Sequence, residues 1–230
     1  MQTNNPHGDR GVIGAGAVPE KAKATMILLH GRGASAESIL SLSHEFEKAG
    51  NGQELSFLAP QAASSTWYPY SFLAPRENNE PWLSSALARV ESLVSTLENA
   101  GMARDRIVIA GFSQGACLAT EFVASHPALY AGLIAFTGGL IGPPGSELTH
   151  AGDLRGTPAL FLSGDPDAHV PWSRVEESAR IFEQMGAAVQ AERFPGRPHT
   201  ISPRELRLAQ SLVEQTLNGT AARSFSGRSQ

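Results

Sequence analysis

Only one cysteine, Cys117, occurs in the 230 residues, so no intramolecular disulfide forms and no thiolate cluster binds a metal. A basic block is also missing, and the formal net charge is −4. Neither nucleic acid nor an anionic membrane surface is expected as a main partner. Long hydrophobic runs are absent: a run such as Met26 to Leu29 falls far short of the roughly 20 apolar residues that span a bilayer. No stable membrane association is expected. The N-terminal stretch MQTNNPHGDR has no apolar core of a signal peptide, which predicts a cytoplasmic protein. The composition is otherwise that of a globular chain, with 41% hydrophobic and 17% charged residues and 23 glycines. A domain of this size buries roughly 70% of its unfolded surface and folds without crosslinks.

Both ends read as peripheral: residues 1–23 as a flexible N-terminal segment, and residues 218–230 as a flexible tail. Between them, over residues 24–217, short apolar runs alternate with longer amphipathic stretches. Strands are predicted at Thr25–Leu29, Leu55–Ala59, Arg106–Ala110, Gly132–Phe136, Ala159–Ser163 and Val189–Phe194. Helices are predicted at Ala36–Ala49, Pro81–Ala100, Gln114–His126, Arg174–Met185 and Pro203–Leu217. The last of these opens on Ser202 with Glu205 three residues on, the pattern of a capping box. Leu83, Leu87, Val90, Val94 and Leu97 recur at helical spacing and form one buried stripe. This alternation predicts an α/β fold, a single domain with a mostly parallel central sheet and helices on both faces. Such sheets carry their chemistry at the carboxyl ends of the strands.

The loop after the strand Ile107-Val108-Ile109 contains Gly111-Phe112-Ser113-Gln114-Gly115. A chance match to G-x-S-x-G is expected roughly 0.2 times at this composition, so the motif alone is weak. Its place between a β-branched strand and a helix is selective. A turn that sharp strains the central residue, lifts the Ser113 hydroxyl off the sheet and aims a helix N-terminus at it. The alternative is a glycine-rich turn with an incidental serine.

A serine nucleophile needs a base. Of seven histidines, His7 and His150 lie in irregular polar segments and His44 and His126 near helix ends. His30 follows a strand and is read as shaping a loop. His199 lies just after the last predicted strand in Pro195-Gly196-Arg197-Pro198-His199, where two prolines and a glycine define the path. The loop after Ala159–Ser163 offers two acids, Asp165 and Asp167. Asp167 is chosen because it lies further from the strand, towards the rim where the imidazole sits. His169 is the rival base, but its neighbours Val170-Pro171 place it at the start of the next helix. A metal site at Asp165, Asp167 and His169 would lack a second ligand cluster. The chain order Ser113, Asp167, His199, each after a strand, is that of an α/β-hydrolase. Oxyanion donors are expected from the backbone N–H of Gln114 and of Arg32, the latter in the glycine-rich loop after the first predicted strand.

LLHGRGAS, GFSQGA, LSGDPDAHVP and PGRPHT together resemble the phospholipase/carboxylesterase family of α/β-hydrolases, from about Ala24 to Leu217. The resemblance implies a core without a large cap domain and hydrolysis of ester or thioester bonds without a cofactor. It also implies Ser113, Asp167 and His199 as the triad, with Arg32 and Gln114 forming the oxyanion hole. Acyl-protein thioesterases of this family usually carry HGLGD, where this chain has Arg32 and Ala34. The stretch from Thr66-Trp67-Tyr68-Pro69 to Asn79-Glu80-Pro81 is similar instead to the small bacterial esterases. Position 32 borders the acyl pocket in that family, and an unpaired Arg32 guanidinium there would favour short and medium acyl groups. Aromatic residues cluster between Pro60 and Trp82, and Trp67, Tyr68, Trp82 and Phe112 are expected to line the substrate pocket. Cys117 is read as inert packing.

The expected activity is hydrolysis of short- to medium-chain carboxylic esters, with aryl esters and polyesters left open, on a small-molecule substrate, and a homodimer is left open too. An acyl-protein thioesterase or lysophospholipase is the alternative within enzymes. A peptidase is disfavoured, because no specificity domain fits in this length. A non-catalytic binding module of the same fold would be marked by a missing triad member.

Overall fold

A computed structural model describes residues 5–8, 10–47, 55–148 and 150–218. A seven-stranded sheet is built from β1 (Val12–Gly16), β2 (Ala24–Leu29), β3 (Leu55–Pro60), β4 (Ile107–Phe112), β5 (Gly132–Phe136), β6 (Pro158–Asp165) and β7 (Ala188–Pro195). Its spatial order is β1-β3-β2-β4-β5-β6-β7, and every pairing is parallel except β1 with β3. The helices are α1 (Ala36–Leu40), α2 (Ser43–Glu47), α3 (Trp82–Asn99), α4 (Gln114–Ser125), α5 (Trp172–Gln184) and α6 (Pro203–Leu217). A central strand covered on both faces reads as a continuous apolar run. Accordingly all six residues of β2 are buried, Ala24-Thr25-Met26-Ile27-Leu28-Leu29. Alternate residues serve different cores: Ile27, Leu29, Ile107 and Ile109 pack beneath α3, α4 and α5. Met26, Leu28, Val108 and Ala110 pack beneath α1, α2 and α6.

The order of strands reverses between β3-β2 and β4, and at such a switch point the loops leaving adjacent strands open a crevice. The loops after β2 and β4 meet there.

Two expectations are corrected. Residues 1–23 are not simply a flexible segment, because Val12–Gly16 pairs antiparallel with Ser56–Pro60 as the edge strand β1. Two glycines in five residues hide it from propensity, and its stability comes from the partner strand. Gly16 has φ +75° and a Cβ there would lie 2.4 Å from the Leu55 carbonyl oxygen, so close approach requires glycine. The helix expected over Ala36–Ala49 is broken at Ser41 and Leu42 into α1 and α2. The hydroxyls of Ser38 and Ser41 donate to the carbonyls of Ser35 and Ser38 at 2.7 Å, an alternative to helical propagation. Residues 48–50 of that stretch lie outside the described residues, as does the expected tail after Asn218. No helix among the described residues is long and apolar enough to cross a membrane.

Candidate active site

Ser113 sits between β4 and α4 at φ 56° and ψ −118°, a conformation that costs a non-glycine residue energy and is held by its surroundings. The sharpness of the turn explains both flanking glycines. A Cβ on Gly111 would lie 2.4 Å from the Gly115 carbonyl, and one on Gly115 would lie 2.1 Å from the Leu29 carbonyl oxygen. The Ser113 N–H donates to the Phe136 carbonyl at 2.9 Å, fixing the elbow to the end of β5.

His199 and Asp167, from the loops after β7 and β6, complete a chain of contacts. His199 Nε2 lies 2.9 Å from Ser113 Oγ, and its Nδ1 lies 2.8 Å from Asp167 Oδ2. The carboxylate requires the proton on Nδ1, which leaves Nε2 free to accept from the serine hydroxyl. Asp167 Oδ1 accepts the N–H groups of His169 and Val170 at 2.9 Å. Burial opposes ionisation of Asp167, but the His199 contact and these two N–H groups outweigh it and hold the carboxyl below its ordinary value. Asp165 pairs instead with Arg193 on β7. Among the described residues, no group of three or more His, Cys, Asp or Glu could hold a metal.

Arg197 anchors the loop that carries the imidazole. Its guanidinium is nearly buried and donates to the carbonyls of Pro198, at 2.7 Å, and Thr200, on either side of His199. It also donates to Thr137 Oγ1 at 2.7 Å, just beyond the Phe136 carbonyl that holds Ser113. The buried Glu205 carboxylate on α6 lies 3.2 Å from Arg197 Nε. Nothing in the sequence spacing distinguishes this arginine from a surface one.

In front of Ser113 opens a cleft of about 460 Å³, with Arg32, Tyr70 and His169 among its lining and Tyr68, Phe72 and Cys117 also contributing. Tyr68 and Phe112 line it, whereas Trp67 and Trp82 do not. Trp67 is fully buried, donates its indole N–H to the His30 carbonyl at 2.8 Å and has the rings of His7 and His30 against it. Trp82 lies edge-on to His7. Both rings pin the loop after β3 to the core rather than meeting a ligand. His169 stands exposed at the cleft, its ring 4.7 Å from that of His199 and edge-on to it, rather than packed at the start of α5. Burial pushes the Cys117 thiol up to about 12, so it stays protonated.

The loop after β3 is held from every side. The Gln114 side chain accepts from the Trp67 N–H at 2.9 Å and donates to the Tyr68 carbonyl at 2.8 Å. Arg32 donates to Thr66 Oγ1, the Pro69 carbonyl and the Tyr70 carbonyl at 3.1, 2.8 and 2.6 Å. Its guanidinium is therefore not the unpaired charge expected from the sequence. It is an exposed clamp on the cleft wall, and the desolvation reasoning for acyl length falls away. Gly31, beside Arg32, borders Ser113: a Cβ there would lie 3.6 Å from Ser113 Cβ, an ordinary van der Waals contact.

A hydroxyl, an imidazole and a carboxylate in line, at a helix N-terminus on an α/β sheet, define a serine-hydrolase arrangement. The sequence matches the phospholipase/carboxylesterase family over residues 13–217. The chain belongs to that family and is a hydrolase acting on ester bonds. It is similar to a phospholipase/carboxylesterase of Dyadobacter fermentans of known structure, at 44% identity and a TM-score of 0.83, covering 89% of this chain and 96% of that one. It is 26% identical over 228 residues to acyl-protein thioesterase 1 of Neurospora crassa, covering 90% of this chain and 93% of that protein. A probable carboxylesterase of Arabidopsis thaliana is 27% identical over 168 residues, which is 71% of this chain and 63% of that protein.

Proposed function

We propose that Ser113, His199 and Asp167 are the catalytic residues, and that the enzyme hydrolyses carboxylic esters through an acyl-enzyme. The observation that carries this reading is the unbroken contact from Ser113 Oγ through His199 to Asp167. Ser113 Oγ attacks the ester carbonyl carbon while its proton passes to His199 Nε2. The carbonyl oxygen becomes an oxyanion that receives the backbone N–H groups of Gln114 and Arg32. Collapse breaks the bond to the alcohol oxygen, which leaves with the proton from Nε2. Water then repeats the sequence on the acyl-enzyme, releasing the acid and restoring Ser113. Asp167 stays ionised and stabilises the imidazolium that forms in each half.

Ser113→Ala is expected to abolish hydrolysis of an aryl butyrate with an unchanged circular dichroism spectrum. Mass spectrometry after fluorophosphonate treatment is expected to place one adduct, on Ser113. An adduct on another residue, or full activity in the variant, overturns the assignment. The name of the Neurospora relative brings thioesters into consideration. A kcat/KM for a palmitoyl thioester above that for butyryl or hexanoyl esters would replace this substrate class.

A further inference from the structure

A second, more open groove of about 330 Å³ lies on the other side of Phe112 and His199, and Ser38, Ile39, Leu42 and Ile201 contribute to its wall. It shares Gly31, Ala34, Phe112 and His199 with the cleft, but its lining includes neither Ser113 nor Gln114. No Asp, Glu, Lys or Arg lines it. Leu42, Phe112 and Ile201 are apolar yet only partly buried. His30, also on its wall, offers no free polar edge: Nδ1 bonds the Gly31 carbonyl at 2.8 Å and Nε2 accepts the Ala62 N–H at 3.1 Å.

We infer that this groove binds the alcohol part of the ester, and that the alcohol it takes is an apolar alkyl or aryl one. The inference rests on the catalytic roles proposed above. The tetrahedral carbon carries four groups: Ser113 Oγ, the oxyanion, the acyl chain and the leaving alkoxy group. The oxyanion is directed at the N–H groups of Gln114 and Arg32, which leaves two directions for two substituents. The leaving oxygen must reach the proton on His199 Nε2 as its bond to carbon breaks. Its alkyl group therefore extends on the imidazole's side, into the space that meets the site through His199 and Phe112. The acyl group stays bonded to Ser113 and occupies the larger cleft, which contains Ser113 itself. The lining is mostly apolar, with the Ser38 and Thr200 hydroxyls as its few polar side chains, so the groove rewards burial of hydrocarbon and offers no charged partner to an ionised alcohol part.

The test uses butyrate esters of methanol, hexanol and benzyl alcohol, and methyl esters of butyrate and decanoate. For these, kcat/KM reports acylation, in which the alcohol is still attached, and all three butyrates share one acyl-enzyme. The wild-type enzyme is expected to favour benzyl and hexyl butyrate over methyl butyrate. Ile201→Trp and Leu42→Trp, from two different loops of the lining, are each expected to lower the benzyl-to-methyl ratio roughly tenfold. The decanoate-to-butyrate ratio of the methyl esters is expected to move far less. An unchanged benzyl-to-methyl ratio in both variants overturns the inference, and so does a shift confined to the acyl series. If a tryptophan variant no longer labels with fluorophosphonate, Ile201→Ala decides: it enlarges the groove and is expected to raise the ratio of naphthylmethyl to methyl butyrate. No rise there overturns the inference too. Failure of the underlying catalytic reading looks different, because the wild-type enzyme would then hydrolyse none of the esters or label away from Ser113.

Discussion

At Asp167 one carboxylate oxygen accepts from the His199 ring while the other accepts two backbone N–H groups, and this division sets the pH behaviour of the site. The folded carboxyl titrates below its ordinary value, so it is charged throughout the neutral and mildly acidic range. Its contribution to stability is present above the ordinary carboxylate range and is lost as the pH falls through the lowered folded value. Asp167 is therefore not expected to contribute to the kcat/KM profile across the neutral and mildly acidic range. Asp167→Asn and His199→Ala are each expected to lower kcat by about 10⁴-fold, with a double variant little worse than either. Asp165→Asn, which loses only its pairing with Arg193, is expected to be much milder. Arg197 acts at one remove, through the carbonyls on both sides of His199. Lysine cannot reproduce that fork. Arg197→Lys is expected to cut kcat by about 10²-fold through misplacement of the base, with KM little changed and fluorophosphonate labelling slowed in step. A merely structural arginine would lower the melting temperature and leave the labelling rate of the folded fraction intact.

The loop after β3 shows how one element is shaped by several others. Two buried histidines brace it: His7 accepts the Ala63 N–H at 3.1 Å and bonds the Trp67 carbonyl at 2.9 Å, and His30 accepts the Ala62 N–H at 3.1 Å. Each ring thus has one nitrogen that must remain unprotonated. Burial lowers the pKa of both below the ordinary histidine value of about 6.5. An unfolded chain then binds protons that the fold excludes, so stability is full above that value and falls as the pH drops below it towards the lowered folded values. The melting temperature is expected to decline across that window, and more gently in His7→Gln. A wild-type melting temperature flat from pH 7 to 5 contradicts this bracing. Arg32 and Gln114 hold the same loop from the other side, and Arg32→Leu removes three hydrogen bonds from it. That variant is expected to lose roughly tenfold in kcat/KM on butyrate esters, equivalent to about one net hydrogen bond. Longer esters are not expected to gain. A shift of the optimum to palmitoyl esters would instead restore the view of Arg32 as a barrier to long chains.

For the molecule as a whole, the N-terminal strand closes one edge of the sheet. β1 covers β3, whose residues are buried apart from the partly exposed Leu58, and the chain before it delivers His7 to the loop. Deleting residues 1–17 would expose an apolar strand edge, a template for pairing with other chains. The truncated protein is expected to melt lower and to scatter light on mild heating, and to lose esterase activity as Trp67 and Ala63 lose their His7 contacts. Truncated protein that stays monomeric and fully active would show that the edge strand is dispensable.

The sequence by itself determined the alternation of strands and helices and the order of the chemical groups. Both are largely local: apolar periodicity reflects which side of an element is covered, and Gly111 is required by Gly115 within the same turn, although Gly115 itself is required by the distant Leu29 carbonyl. The carboxyl-end loops of β4, β6 and β7 followed from that periodicity, and Ser113, Asp167 and His199 were legible as members of those loops. Only the tertiary structure decided what depends on partners distant in the chain. The strand Val12–Gly16 exists because β3 pairs with it, and its glycines conceal it. Trp67 and Tyr68 are adjacent in sequence, yet one is sealed against His7 and His30 while the other reaches the cleft. Arg32 reads as a free charge until the carbonyls of Pro69 and Tyr70 come to it across 37 and 38 residues. Arg197 reads as a surface arginine until Thr137 and Glu205 enclose it. A side chain's character follows from its type, but its role follows from which backbone carbonyls and carboxylates the fold brings within about 3 Å of it.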